Sequence, residues 1–183
     1  MLVQVVYESI HGNTAAVAEA VADGLAPYAT VEIDAVENAS APDLSVDLLV
    51  IGAPTHGFGL SWPRSRRGVA RREAARDTSS TPDSTGVDTS IGVREWISGA
   101  SQNCYGLAAA AFCTRPASTS WLPSSAAHGI SKRLRRQKCI MIASPAEFFL
   151  DTVQGPVSAG ELERAYKWGA TLAFQHRSIA HTA

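Results

Sequence analysis

An α/β fold, with a parallel sheet between two layers of helices, is the architecture this sequence predicts. Three observations predict it. Short apolar runs alternate along the chain with stretches whose apolar residues recur every three or four positions. Two of the runs, LVQVVY at 2–7 and DLLVIGA at 47–53, are apolar almost throughout, as in strands buried on both faces. The 183 residues are 45% hydrophobic and 18% charged, which suits one domain, residues 1–183, with a full core.

The first run is a central strand. A helix follows from about Asn13, because Val17, Val21 and Leu25 recur on one face. Residues 30–36, TVEIDAV, alternate polar and apolar and read as a half-exposed edge strand, whereas 47–53 read as central. Residues 61–76 suggest a helix with Ser61 as cap and Pro63 in its first turn. Residues 77–92 are rich in Ser, Thr, Asp and Gly, so about 64–92 is expected to be a mobile insertion. A short helix covers 92–100. The alanine-rich stretch 105–113 is a strand on grounds of burial, since alanine is a weak strand former.

Residues 124–137 form a helix with Ile130 and Leu134 inward and its basic residues outward. Residues 138–144, KCIMIAS, are the fifth strand. Ser158 with Glu161 three positions later is the pattern of a capping box. It opens a last helix whose inner face is Leu162, Ala165, Tyr166, Gly169, Leu172 and Ala173. Five strands alternating with helices give right-handed crossovers and helices on both faces, a three-layer sandwich.

Composition narrows the function classes. Three cysteines without paired spacing argue against a disulfide framework or a zinc site and favour a cytoplasmic setting. No apolar run reaches bilayer length, and the first residues lack a signal-peptide pattern. No Lys or Arg precedes Arg64, while basic blocks occupy 64–76 and 132–138, so one acidic and one basic region are expected. No aromatics interleave with the basic residues, so nucleic acid is not the expected partner.

Ligands of such sheets sit beyond the carboxyl ends of the strands. At the first strand end stands SIHGNT, residues 9–14. A helix start leaves N–H groups unpaired and carries partial positive charge; Gly12 permits a tight turn; Ser9, Asn13 and Thr14 add side-chain donors. Together they suit a phosphate bound without Lys or Arg. Neither a Walker loop nor a G-x-G-x-x-G pattern is present.

At the second strand end, GAPTHGFGLSW (52–62), Pro54 stops the strand, Gly57 and Gly59 free the backbone, and Phe58 and Trp62 offer flat faces. Such a loop either lines a planar ring or returns two aromatics to the core. At the third, residues 112–125, Thr114 is a candidate donor to a ring carbonyl, Arg115 to a phosphate or substrate, and Trp121 a second ring wall; a plain crossover loop is the alternative.

With SIHGNT after the first strand, APTHGFG after the third, and five strands around them, the chain resembles the flavodoxin family. The His-Gly form of the first loop is also similar to the flavodoxin-like domains of protoporphyrinogen oxidases. The resemblance implies sheet order 2-1-3-4-5 and an FMN site. Ser9, His11, Gly12, Asn13 and Thr14 would hold the phosphate. Pro54, Thr55, His56, Gly57, Phe58 and Gly59 would flank the ring, with Thr114, Arg115 and Trp121 closing the other side. It implies electron transfer to a redox partner protein or a small-molecule acceptor, with no catalytic residue and no metal assigned.

Two readings stay open beside it: an NAD(P)H-dependent quinone or FMN reductase using the same loops, and a flavin-free interaction module. A phospho-receiver domain is excluded, since Glu8 stands alone after the first strand, Gly52-Ala53-Pro54 ends the third, and Ser144-Pro145 ends the fifth. His11 and His56 read as hydrogen-bonding or solvated groups, and Cys113 as a small buried apolar residue.

Overall fold

The computed structural model describes residues 1–55, 59–61, 91–100 and 104–180. Its sheet is built from β1 (Leu2–Tyr7), β2 (Thr30–Ala35), β3 (Leu48–Pro54), β4 (Ala108–Pro116), β5 (Ile140–Met141) and β6 (Ala146–Leu150). The helices are α1 (Asn13–Leu25), α2 (Val93–Gly99), α3 (Ala126–Arg136) and α4 (Glu161–Ala180). The strand order is β2-β1-β3-β4-β5, with β6 also paired to β4, and every ladder is parallel. The expected fold class and sheet order are therefore observed.

Alternation along each strand sorts its side chains onto two faces. Val3, Val5, Leu48, Val50, Ala110, Phe112 and Phe148 lie under α1 and α4. Val6, Leu49, Ile51, Ala53, Ala109, Ala111 and Cys113 lie under α2 and α3. Residues this fully buried each contribute on the order of 1.5–3 kcal/mol when large and aliphatic. Edge strand β2 has the half-exposed pattern read from its alternation.

Two close approaches require glycine. Gly52 pairs with Phe112 across the ladder, and a Cβ on Gly52 would stand 2.0 Å from the Phe112 ring. Helices α1 and α4 touch backbone to backbone: a Cβ on Gly24 would lie 2.0 Å from the Tyr166 carbonyl oxygen, and one on Gly169 2.2 Å from that of Val21.

Like charges crowd at two places among the described residues, while the basic block 64–76 lies outside them. Around Tyr7, burial and then Glu19, Glu37 and Asp34 push the phenol pKa upward. On α3, burial and then Arg94 and Arg136 push the Arg133 guanidinium downward, as expected where like charges crowd.

Several expectations are corrected. The fifth strand is not the continuous 138–144: only Ile140–Met141 pairs there, and β6 takes over further along β4. While β4 advances three residues from Ala109 to Phe112, its partner advances five, from Met141 to Ala146. Pro145, with no N–H to donate, falls in this bulge. The fourth strand starts at Ala108 and runs on to Pro116.

The capping box does not form. The Ser158 hydroxyl donates to Asp151 at 2.6 Å, and the Glu161 carboxylate accepts from Phe149 N–H at 2.7 Å. Leu162 and Tyr166 are each 43% exposed, and the buried stripe of α4 is instead Ala165, Gly169, Leu172 and Ala173 with Trp168 against it. The rings of Phe112 and Phe148 meet Trp168 edge-on, which makes the indole the large apolar anchor of that face.

The outer edge of β6 is closed by side chains together with the returning backbone, where Leu150 bridges Val157 antiparallel and the Phe149 carbonyl accepts Ser158 N–H at 3.0 Å. Glu161 takes the Phe149 N–H, Arg164 donates to the Glu147 carbonyl, and the two are bonded to each other at 2.9 Å. An ion pair and the 157–158 backbone thus share the positions where a further strand would dock. Residues 62–90, which hold Trp62, all but the first residue of the expected 61–76 helix and most of the expected insertion, lie outside the described residues. Ser61, expected as a helix cap, donates to the buried carboxylate of Glu8, which also accepts from Val93 N–H at 3.0 Å.

Candidate functional site

Strand β1 delivers the chain to its carboxyl end, where residues 9–14 turn into α1. Gly12 makes the turn at φ 80°, ψ −17° and stands immediately before the helix. A Cβ at Gly12 would meet nothing within 4 Å, so it is the left-handed backbone, not space, that calls for glycine. The Gly12 carbonyl receives Ala16 N–H at 3.0 Å, and Ser9 Oγ receives Ala15 N–H at 3.3 Å. In the first helical turn the N–H groups of Asn13 and Thr14 have no acceptor within the helix, and the helix dipole makes this end electropositive.

The Thr14 hydroxyl meets the Thr114 hydroxyl at 2.8 Å, and both residues are almost wholly buried. This bond ties the start of α1 to the end of β4 across a hundred residues of sequence. At the end of β3, Thr55 donates its N–H to the Thr114 carbonyl at 2.8 Å and accepts Ala126 N–H on its hydroxyl at 3.1 Å. Thr55 is therefore the cap of α3, a task that Ser125, the residue just before the helix, does not perform with its side chain.

These ends enclose a cleft of about 320 Å³. Thr14, Thr55, Thr114, Thr119, His11 and Asn13 border it, and Ile10, Pro54, Pro116, Leu150 and Val153 give it walls that are mostly apolar. Among the described residues no group of three His, Cys, Asp or Glu side chains is placed to hold a metal. No described helix is long and apolar enough to cross a membrane.

Arg115 borders the cleft but its side chain is only 1% exposed and turned to protein partners. It holds both oxygens of Glu147 at 3.1 and 3.2 Å, donates to Thr119 Oγ1 and the Leu122 carbonyl at 3.3 Å, and reaches the Thr119 carbonyl. Trp121 is 77% exposed, its ring N–H on the Ser118 carbonyl. Cys113 is fully buried, and burial raises its thiol pKa.

Of the residues expected at the site, the structure brings His11, Asn13, Thr14, Pro54, Thr55, Thr114 and Arg115 to one cleft. Ser9 and Gly12 shape the adjoining turn, and Gly59 lies half-buried after β3. His56, Gly57 and Phe58 lie outside the described residues. Sequence reasoning missed Leu150, the last residue of β6, and Val153 just after it, which form one wall. The only signal for them was the apolar run FFL at 148–150, hidden behind the assumption of an unbroken fifth strand.

The sheet order, the helix start at the end of β1 and the cleft over the strand ends define a flavodoxin-like α/β protein. The flavodoxin family model matches residues 5–87, the part that carries both of the first two loops. Among solved structures, a flavodoxin from the domain Archaea is 18% identical, with a TM-score of 0.61 over 97% of this chain and 99% of that one. The two-electron reduced flavodoxin of Megasphaera elsdenii is 17% identical, with a TM-score of 0.60 over 92% of this chain and 98% of that one. A WrbA-like flavodoxin from Agrobacterium tumefaciens is 21% identical, with a TM-score of 0.58 over 97% of this chain and 98% of that one. Among curated protein sequences, none matches.

Proposed function

We propose that the chain binds FMN in this cleft and serves electron transfer to a redox partner protein or a small-molecule acceptor. The observation that carries the reading is the junction of the α1 N-terminus with the buried Thr14–Thr114 hydroxyl pair beside a cleft at the strand ends. The donor set fits a phosphate ester: backbone N–H groups, small hydroxyls and a positive helix end, with the neighbouring Arg115 already committed to Glu147. The family match over both loops supports the same assignment.

In this reading Ser9, His11, Gly12, Asn13 and Thr14 hold the phosphate. The 54–59 loop and the segment from Thr114 to Trp121 flank the ring. A bound flavin supplies the one- and two-electron redox chemistry; the chain binds the phosphate, orients the ring and limits its contact with water.

The test is a visible absorbance spectrum after adding FMN and removing the excess. Retained flavin, with Kd raised at least about a hundredfold by Ser9→Ala with Thr14→Ala, is the expected result, since hydrogen bonds to a charged group are each worth about 1.5–3 kcal/mol. A colourless protein that retains no FMN refutes the assignment. Bleaching of the bound flavin by NADPH would identify a reductase in place of a carrier.

A further inference from the structure

The loop that follows β6 reaches back to the helix start. Asn13 Nδ2 donates to the Gln154 carbonyl at 2.9 Å across 141 positions of sequence. Next to it, Gly155 at φ 105° lies so close on the Asn13 carboxamide that a Cβ there would stand 2.4 Å from Asn13 Oδ1. Only a residue without a side chain permits this seat.

The loop is braced from within. The Thr152 hydroxyl donates to the Gly155 carbonyl at 2.6 Å and accepts Gln154 N–H at 3.3 Å. Asp151 N–H meets the Pro156 carbonyl at 3.0 Å, and the Asp151 carboxylate takes the Ser158 hydroxyl at 2.6 Å. Its member Val153, with Leu150 at the end of β6, lines the same cleft as Asn13 and Thr14.

We propose that the 151–156 loop is a latch that positions the phosphate cradle, and that the Asn13 side chain works as the tie to it. The inference rests on the flavin reading above. A cradle of N–H groups binds an anion in proportion to how well its donors are already aimed. The first turn of α1 is the part of the helix with the fewest internal bonds. Holding Asn13 by its side chain fixes the direction of the Asn13 and Thr14 N–H groups. Gly155 and Thr152 touch neither the cleft nor a ligand in it, so their effect on binding runs through Asn13.

The experiment compares FMN with riboflavin, which has the same ring and ribityl chain and lacks the phosphate. Apoprotein is titrated with each flavin, for wild type, Gly155→Ala, Thr152→Val, Asn13→Ala and the Asn13→Ala/Gly155→Ala pair. The latch requires Gly155→Ala to raise the FMN Kd roughly three- to tenfold, the effect of one lost hydrogen bond, with riboflavin unchanged. Thr152→Val moves the ratio in the same direction, and the double variant loses no more than Asn13→Ala alone. Normal riboflavin binding certifies that a variant is folded.

An FMN Kd unmoved by both Gly155→Ala and Thr152→Val overturns the latch while leaving the flavin reading intact. So does an equal loss for both flavins, which marks a merely structural loop. Wild-type protein that binds neither flavin overturns the flavin reading and the latch together.

Discussion

Replacing Arg115 by Met tests whether the one guanidinium at the cleft among the described residues serves the fold or a ligand. Its side chain is 1% exposed and holds the Glu147 carboxylate through two contacts at 3.1 and 3.2 Å, while Glu147 is 21% exposed. Methionine matches the stem of the side chain and removes every donor. Breaking a buried pair from one side costs about 3–5 kcal/mol, because the other charge is left behind without its partner. The residual solvent contact of Glu147, and His128 Nδ1 3.7 Å from it, place this case near the low end, about 3 kcal/mol. For a chain of this size that corresponds to a fall in Tm of roughly 6–12 °C.

The assay is urea and thermal unfolding of apoprotein for Arg115→Met, Glu147→Gln and the double variant. Neutralising Glu147 as well removes the stranded charge, so the double variant recovers about 2 kcal/mol of the loss. The ratio of FMN to riboflavin affinity stays constant in all variants that fold. A loss below about 1 kcal/mol with no coupling between the two sites refutes the clasp, and a selective fall in FMN affinity identifies Arg115 as a phosphate ligand after all.

The edge cap makes stability depend on acid. Burial raises the Glu161 carboxyl, but the Arg164 and Phe149 donors lower it more, so its pKa falls below the ordinary 4.5. A depressed carboxylate stabilises the fold above its unfolded pKa and loses that contribution as pH falls through the folded value. The stability gap between wild type and Glu161→Gln, measured by urea melts from neutral pH downward, is therefore full at neutral pH and closes in acid. Gly169→Ala drives a methyl into the Val21 carbonyl and Gly52→Ala drives one into the Phe112 ring; each lowers unfolding free energy by about 1–3 kcal/mol or more, and denaturant midpoints unchanged from wild type would contradict the two close approaches. Glu8→Ala strips the acceptor from Ser61 and from Val93 N–H, so amide exchange at the start of α2 speeds up while that at the start of α1 does not.

By itself the sequence determined the layers, the order of elements and the place of the first loop. Those follow from short-range physics: continuous apolar runs demand burial on both faces, three-to-four periodicity demands a helix, and a glycine among small polar residues at a strand-to-helix joint demands a turn with free donors. It carried far less about which residues meet. Thr14 with Thr114, Asn13 with Gln154, and Arg115 with Glu147 are pairs set by where strands end in space, and no local pattern announces them. The Ser158–Glu161 spacing looked local and sufficient, yet the β6 edge offered Glu161 a stronger partner in Phe149 N–H and Arg164. Leu162 and Tyr166 had the right period for the inner face, but the backbone contact at Gly24 and Gly169 rotated α4 so that Trp168 turned inward. Tertiary packing decided these because a buried donor or a close helix crossing outweighs a local preference of about 1 kcal/mol.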